Sequence, residues 1–189
     1  MDASDEAALS FREVSREVLH RGRKFDFERV TLRDGTREIE REMVRHPGAV
    51  CVLPLLETPE GVRVVFVRNE RFTVGRRLLE LPAGTIEPGE APLVCAGREL
   101  IEETGYEALR LEPMGSFLTT PGMTDERMHA FVATGLRHVG QRLEEDERMT
   151  VELLGVEAAL ERAGGGAIED GKTVCTLLLA ARRGLLGRV

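Results

Sequence analysis

The sequence contains few of the features that mark secreted, membrane-spanning or disulfide-bonded proteins. It has no tryptophan, one tyrosine and three cysteines in 189 residues. No apolar run approaches the roughly 20 residues that a transmembrane helix needs, so we expect no membrane partner. The first ten residues carry three acidic side chains and no basic segment, unlike a secretory or transit peptide. We therefore expect a cytoplasmic protein.

Disulfide bonds, zinc and nucleic acid are also unexpected. Cys51, Cys95 and Cys175 lie far apart among apolar neighbours, which is typical of reduced thiols. The net charge is −7 and no long basic run is present, so we expect no nucleic-acid partner. Only Lys24 and Lys172 are lysines. The remaining basic residues are arginines, which suit bidentate phosphate contacts, although a compositional bias of the source genome would explain them equally.

The chain divides into three predicted segments. Residues 1–12 are expected to be a frayed or disordered N-terminus. Residues 13–46 are expected to form a β-hairpin arm, because Asp34-Gly35 between two extended stretches is a strong hairpin signal. This arm has little apolar surface of its own, so it is expected to pack on the main domain or to mediate dimerisation. Residues 47–189 form the main domain.

Strand and helix patterns alternate along the main domain. Two apolar, β-branched runs at 49–56 and 62–68 predict a buried hairpin. A helical pattern covers residues 91–104, with Pro92 in its first turn and Gly105 at the position of a C-terminal cap. Further strands are predicted at 114–120, 128–136 and 150–156, and further helices at 157–163 and 172–186.

Three glutamates crowd one face of the predicted helix. Glu99 and Glu103 are four residues apart and Glu102 is three from Glu99, so their carboxylates lie within one turn. Like charges at these spacings destabilise a helix by roughly 0.2–0.5 kcal/mol per pair, which favours a bound cation. Carboxylate oxygens on a rigid element suit Mg²⁺ or Mn²⁺. A solvated charged face is the alternative interpretation of such a helix.

A longer motif around these glutamates favours the metal site. In residues 84–106 a glycine is followed after five residues by a glutamate and after seven more by Arg-Glu, an apolar residue, any residue, Glu-Glu, any residue, a glycine and an apolar position. This pattern resembles the signature of the Nudix hydrolase family. A chance match is on the order of 10⁻⁹ per starting position at average residue usage. Every specified position is occupied, by Gly84, Glu90, Arg98, Glu99, Leu100, Glu102, Glu103, Gly105 and Tyr106.

The resemblance implies an α/β/α sandwich with a mixed β-sheet, and hydrolysis of a diphosphate linked to another moiety. It makes Glu99 and Glu103 the principal ligands of a catalytic Mg²⁺, for which Mn²⁺ can substitute. Glu102 and the Ala83 carbonyl become further oxygen donors, and Glu102 and Glu103 count among the catalytic residues.

The same resemblance gives the other motif residues structural roles. Arg98 would orient the glutamates by ion pairing. Gly84 and Gly105 would supply backbone conformations that other residues disfavour. Two interpretations of Glu90 stay open, because an acidic residue is favoured near a helix N-terminus whether or not it helps to bind metal.

The segment after the motif resembles the ADP-ribose pyrophosphatase branch of the family. Pro121 lies in a Thr-Pro-Gly sequence that is followed by Asp125-Glu126, and such a segment marks hydrolases of nucleoside diphosphate sugars. By this resemblance Pro121 and Glu126 belong to the substrate site, with Glu126 on the terminal ribose. An ordinary turn between strands is the alternative interpretation.

Residues 41–84 resemble the same branch. That likeness makes Arg71 and Arg41 binding residues for the substrate phosphates, reached either within one subunit or across a swapped N-terminal arm. Either arginine could instead be a surface ion-pair partner.

The acidic residues 144–147 resemble the loop that carries the general base in this branch. The alignment favours Glu145 as the base and Glu147 as an added metal ligand. An exposed acidic loop without catalytic function is the alternative.

These features together predict a homodimeric, Mg²⁺-dependent ADP-ribose pyrophosphatase that releases AMP and ribose 5-phosphate. The first alternative is hydrolysis of another nucleoside diphosphate sugar, such as GDP-mannose or a UDP-sugar, because no residue of the sequence identifies which nucleobase the substrate carries. A less favoured alternative is a non-catalytic ligand sensor with the same fold, which would not need a carboxylate cluster.

Overall fold

The computed structural model describes residues 10–143, 145 and 147–186, which form two compact units. The first unit contains the chain up to His46 and the segment Thr120–Glu126. The second contains Pro47–Thr119 and the chain from Arg127 onward. None of the helices in the described residues is long and apolar enough to cross a membrane.

A three-stranded antiparallel sheet, in the order β1-β2-β3, forms the first unit. Its strands are β1 (Arg12–Arg21), β2 (Asp26–Asp34) and β3 (Arg37–Arg45). The predicted Asp34-Gly35 turn joins β2 to β3. The sequence pattern before that turn predicts one extended stretch, whereas the structure divides it into β1 and β2. The chain reverses between these two strands, where the Gly22 N–H donates to the Phe25 carbonyl at 3.1 Å.

A mixed seven-stranded sheet forms the centre of the second unit, in the order β10-β5-β4-β9-β8, with β6 paired to β5 and β7 to β4. Only β4 and β9 among these pairs run parallel. The strands are β4 (Ala49–Thr58), β5 (Gly61–Arg71), β6 (Arg76–Glu80), β7 (Ala83–Thr85), β8 (Tyr106–Leu118), β9 (Arg127–His138) and β10 (Met149–Gly155). The helices are α1 (Pro92–Thr104), α2 (Val156–Gly164) and α3 (Gly171–Arg182).

Strand β4 is buried on both faces of this sheet, which is why its sequence is continuously apolar. Its even-numbered residues, such as Val52, pack with α1 residues such as Leu100. Its odd-numbered residues, such as Leu53, belong to a second cluster with Leu177 of α3 and with α2. Helices therefore cover both faces, and the predicted α/β/α sandwich with a mixed sheet is confirmed.

Helix α1 has the boundaries that the sequence predicts. Pro92 lies in its first turn, and Gly105 follows its last residue with a left-handed φ of 74°. The Gly105 N–H donates to the Ile101 carbonyl at 2.8 Å. A Cβ atom on Gly105 would lie 2.7 Å from the backbone nitrogen of Gln141, so both the conformation and the space require glycine.

Candidate active site

Arg98 joins two of the three glutamates of α1, and the third, Glu103, lies against β7. Glu99 and Glu103 are buried, with 8% and 3% of their surface exposed, and Glu102 is half-buried. Arg98 Nη1 donates to Glu99 Oε1 at 2.8 Å and to Glu102 Oε2 at 2.9 Å. These contacts are those that the predicted orienting role of Arg98 requires.

Arg98 also fixes Glu90, which lies in the loop before α1. Its Nε and Nη2 donate to the Glu90 carboxylate at 2.9 and 3.0 Å. The Glu87 N–H donates to the same carboxylate at 3.0 Å. The Arg98 hydrogen bonds hold the pKa of Glu90 at about 2. Helix α1 itself has Ala91 at its N-cap without a side-chain hydrogen bond, so Glu90 acts as a partner of Arg98 and not as the helix cap.

Strand β7 brings backbone atoms against the two buried carboxylates. The Ala83 N–H donates to Glu103 Oε2 at 2.9 Å. A Cβ atom on Gly84 would lie only 1.9 Å from the Glu99 carboxyl carbon, so a side chain at position 84 would displace that carboxylate. The structure thus explains the first glycine of the motif by close packing and not by the predicted backbone conformation, because Gly84 has no positive φ. It shows the Ala83 N–H on Glu103, and the predicted metal contact of the Ala83 carbonyl stays a prediction.

Burial and mutual repulsion favour protonation of both inner glutamates. Burial raises the pKa of Glu99 to about 7, and the charges of Glu102 and Glu147 add to this rise, although Arg98 opposes it. Burial likewise raises the pKa of Glu103 well above its ordinary value, with further contributions from Glu99 and Glu147. The Ala83 N–H opposes this rise without balancing it.

These residues fit a divalent metal ion by donor type and by charge. Carboxylate oxygens are the ligands that Mg²⁺ prefers, and a cation would relieve the repulsion between Glu99 and Glu103. Within the described ranges, no group of three or more His, Cys, Asp or Glu side chains is already arranged around one point. Arg98 instead holds two of the predicted ligands. The fit therefore rests on the chemistry of the donor set.

Arg71, predicted to bind phosphate, makes the ion pair that the alternative interpretation describes. Its Nε and Nη2 donate to the two oxygens of Glu80 at 2.8 and 2.7 Å. Lys172 Nζ donates to the same carboxylate and lies 2.8 Å from Asp170 Oδ1. The sequence analysis assigned no function to Glu80 or Lys172. The sequence did contain a signal for both, since Glu80 is the single acidic residue in the apolar run 78–83 and Lys172 is one of only two lysines.

The other predicted substrate residues belong to the first unit. Arg41 is exposed, and its Nη1 donates to the Glu40 carbonyl at 2.8 Å. Pro121 lies in a turn in which the Met123 N–H and the Thr124 N–H both donate to the Thr120 carbonyl at 3.0 Å.

The acidic pair follows this turn. Asp125 accepts from the His46 N–H at 2.8 Å and pairs with Arg45. Glu126 Oε1 lies 3.8 Å from His46 Nδ1. The pair therefore ties the segment 120–126 to the end of β3, and the predicted ribose contact of Glu126 stays a prediction.

The predicted general-base loop is described only in part. Glu144 and Asp146 lie outside the described residues. Glu145 is exposed in a turn, and its carbonyl accepts from Arg148 Nη1 at 2.8 Å. Glu147 is half-buried, and its charge acts on both Glu99 and Glu103. The charge of Glu147 thus reaches the two buried carboxylates, and its predicted role as a metal ligand stays a prediction.

Comparison with known proteins identifies the family. The sequence matches the NUDIX domain over residues 45–177. It is 38% identical over 170 residues to the ADP-ribose pyrophosphatase of Bacillus subtilis (strain 168), covering 88% of this chain and 90% of that protein. It is 40% identical over 165 residues to the methanol dehydrogenase activator of Bacillus methanolicus, covering 85% of this chain and 87% of that protein.

A solved structure shows the same fold. The crystal structure described as an ADP compounds hydrolase aligns with a TM-score of 0.78 and 22% identity, covering 95% of this chain and 97% of that one. The family predicted from residues 84–106 is confirmed, and the chain belongs to the NUDIX family.

Proposed function

We propose that this protein is a Mg²⁺-dependent ADP-ribose pyrophosphatase, which hydrolyses the diphosphate bond of ADP-ribose to AMP and ribose 5-phosphate. The observation that carries the proposal is the buried pair Glu99 and Glu103, held against the backbone of β7, where Arg98 is the only described side chain that forms an ion pair with either of them. The similarity to the B. subtilis enzyme over 88% of this chain supports the choice of substrate.

Glu99 and Glu103 would hold the metal, with Glu102, Glu147 and the Ala83 carbonyl as further donors. A divalent cation bound there supplies positive charge to the diphosphate oxygens and lowers the pKa of bound water. Mn²⁺ has the same preference for oxygen ligands and would substitute for Mg²⁺.

The remaining residues of the chain orient the groups and move the proton. Arg98 keeps Glu99 and Glu102 in fixed positions through its two hydrogen bonds from Nη1. The Glu145 carboxylate, on an exposed turn, would take a proton from the attacking water. The water oxygen then bonds to one phosphorus atom, and the bond from that phosphorus to the bridging oxygen breaks. Because the base lies on a loop, closure on the substrate is part of the proposed cycle.

A homodimer in the cytoplasm completes the proposal. The first unit supports the dimer, because the predicted arm exposes apolar side chains on one small sheet, which a second copy would cover. These are Val14, Val18, Leu19 and Phe27.

A substrate panel tests the proposed function. Product release is measured with Mg²⁺ from ADP-ribose, GDP-mannose, UDP-glucose, NADH, diadenosine polyphosphates and nucleoside triphosphates. The expected result is preferential cleavage of ADP-ribose to AMP, abolished by EDTA. Preferential cleavage of GDP-mannose or UDP-glucose would move the function to another nucleotide sugar. Binding of ADP-ribose without any turnover would favour the ligand-sensor alternative.

A further inference from the structure

Four charged side chains form a continuous network beside the candidate active site, all within the second unit. Glu80, at the end of β6, has 1% of its side chain exposed and accepts from both Arg71 and Lys172. Lys172, near the start of α3, is 12% exposed and also pairs with Asp170. Two positive and two negative charges thus balance each other.

Stability alone does not require such a network. Removing charges from water costs several kcal/mol per ion, and well-packed apolar side chains of similar volume are often as stable as a buried ion pair. The network leaves part of one member accessible, since 41% of the Arg71 side chain is exposed while the Glu80 carboxylate is buried. This asymmetry indicates a function at the exposed end of the network.

Glu80 fixes the orientation of the Arg71 guanidinium. Two parallel hydrogen bonds, from Nε and Nη2 to the two carboxylate oxygens, allow one planar arrangement. A guanidinium has five N–H groups, so three stay available for a phosphate. The guanidinium therefore has a fixed direction before any ligand arrives, which reduces the entropy lost on binding.

Helix α3 in turn fixes Glu80. Asp170 caps the helix by accepting from the Thr173 N–H at 3.0 Å. Thr173 Oγ1 accepts from the Leu81 N–H at 2.8 Å, directly after Glu80. Lys172 from the same turn binds the Glu80 carboxylate. Both the backbone and the side chain of this part of the chain are thus tied to one helix end.

The network is electrostatically linked to the predicted metal ligands. The charges of both Arg71 and Lys172 interact with that of Glu103. The network and Glu103 are also close along the backbone, because Glu80 lies three residues before Ala83, whose N–H donates to Glu103. A phosphate bound to a cation at Glu103 would therefore also be attracted by the charge of Arg71.

We propose that Glu80 and Lys172 are positioning residues, which hold the Arg71 guanidinium in the orientation that binds a phosphate of the substrate. This inference rests on the proposed function, in which the substrate carries a diphosphate. Asp170 and Thr173 complete the support by holding Lys172 and the backbone at Leu81.

A double-mutant cycle tests the proposal. Arg71→Ala, Glu80→Gln and their combination are assayed for ADP-ribose hydrolysis with Mg²⁺. Arg71→Ala and Glu80→Gln are each expected to raise KM roughly tenfold, with a smaller change in kcat, since a charge-assisted phosphate contact is lost or misdirected. In the Arg71→Ala background, Glu80→Gln is expected to change KM by less than about twofold.

Two further variants separate positioning from folding. Lys172→Met keeps the Arg71–Glu80 pair but removes one of its supports, so KM is expected to rise by a smaller factor, and Lys172→Arg to restore part of it. Glu152→Gln is the matched control. It breaks the pair in which Arg68 Nε and Nη2 donate to Glu152 at 3.1 and 2.6 Å, on neighbouring strands, and KM is expected to stay unchanged. The folded fraction of every variant is measured by circular dichroism at the assay temperature.

Ligand binding without turnover distinguishes this inference from the proposed function. ADP-ribose binding is measured by calorimetry in EDTA, and Arg71→Ala and Glu80→Gln are each expected to weaken it about tenfold. Loss of hydrolysis with retained, Arg71-dependent binding would overturn the proposed function and leave the positioning intact. The positioning would be overturned if Glu80→Gln changed KM by the same factor with and without Arg71. It would also be overturned if Arg71→Ala left KM and ADP-ribose binding unchanged.

Discussion

Two buried glutamates in the same unit show opposite electrostatic behaviour. Glu80 and Glu103 have 1% and 3% of their surface exposed. Glu80 accepts hydrogen bonds from Arg71 and Lys172, and its pKa is lowered even though burial opposes this. Glu103 accepts a hydrogen bond from the Ala83 N–H, and its pKa is raised by burial and by two neighbouring carboxylates. Equal burial thus coexists with opposite preferences for a proton.

The two glutamates differ in whether the folded chain itself supplies positive charge to the carboxylate. Charge compensation for Glu80 is already built from side chains, so that carboxylate has a partner in the folded protein. Among the described side chains, Arg98 pairs with Glu99, whereas Glu103 has no ion pair and feels Lys172 and Arg71 only as more distant charges. These two carboxylates are therefore the ones that we propose as metal ligands. Charge balance, and not burial, thus separates the glutamate that we propose as a positioning residue from the two that we propose as ligands.

The largest expected effect is on catalysis by Glu103→Gln. The amide keeps the volume and one acceptor oxygen but removes the charge that would hold the metal. We expect kcat with ADP-ribose and Mg²⁺ to fall on the order of 10²–10³-fold, while circular dichroism and nucleotide binding stay close to those of the unmodified protein. Glu107→Gln on β8 is the control, because Glu107 is exposed and pairs with Arg137. Retention of more than about a tenth of the activity would disprove the ligand assignment.

Breaking the compensated site should instead reduce stability. Glu80→Gln removes the counter-charge that the half-buried Lys172 and the partly exposed Arg71 share. Breaking a fully buried pair costs about 3–5 kcal/mol, and because solvent screens Arg71 we expect a loss below that range. Chemical denaturation in EDTA measures this loss directly. Under the same conditions Glu103→Gln replaces a buried carboxyl group whose charged form is disfavoured, so it is expected to be neutral or stabilising. A loss of stability of similar size in both variants would contradict the comparison.

The two sites also predict opposite pH dependences in the metal-free protein. The pKa of Glu99 is raised from 4.5 to about 7, so the folded state binds more protons and stability falls as pH rises from about 4.5 to about 7. The lowered pKa of Glu80 gives stability that is lost as pH falls below about 4.5. Urea midpoints between pH 4 and pH 8 in EDTA test both signs. Saturating Mg²⁺ should reduce the fall in stability between about pH 4.5 and about pH 7. An unchanged fall in that range would count against metal binding by Glu99.

The smallest effect is expected at an exposed pair of the same type. Arg68 and Glu152 join β5 to β10 and are both half-exposed, so solvent screens their attraction. Glu152→Gln should therefore change the free energy of unfolding by less than about 1 kcal/mol. A larger loss would show that the cost of Glu80→Gln reflects strand pairing and not buried charge.

Features set by short sequence spacing were the ones that the sequence predicted well. Helix α1, its glycine stop and the pairing of Glu99 and Glu102 with Arg98 all follow from spacings within one helix. The mixed sheet and the helices on both faces followed from the family resemblance. The predicted contacts of Arg41, Glu126 and Glu145 with substrate stay predictions.

Long-range contacts explain what the sequence could not give. Glu80 and Lys172 are 92 residues apart, and no local pattern pairs them. The same holds for the segment 120–126, which joins the first unit because the Val44 N–H donates to the Met123 carbonyl at 2.8 Å. For Arg71 the sequence offered both phosphate binding and an ion pair, and the structure shows the ion pair with Glu80, while phosphate binding stays a prediction.

Calorimetric titration of the metal-free protein with Mg²⁺ tests the central claim most directly. The unmodified protein, Glu80→Gln and Glu103→Gln are compared at one pH above 7. We predict Mg²⁺ binding to the unmodified protein and to folded Glu80→Gln with similar affinity, and binding at least about tenfold weaker to Glu103→Gln. Equal Mg²⁺ affinity in the unmodified protein and Glu103→Gln would contradict the assignment of the uncompensated glutamates as the metal site.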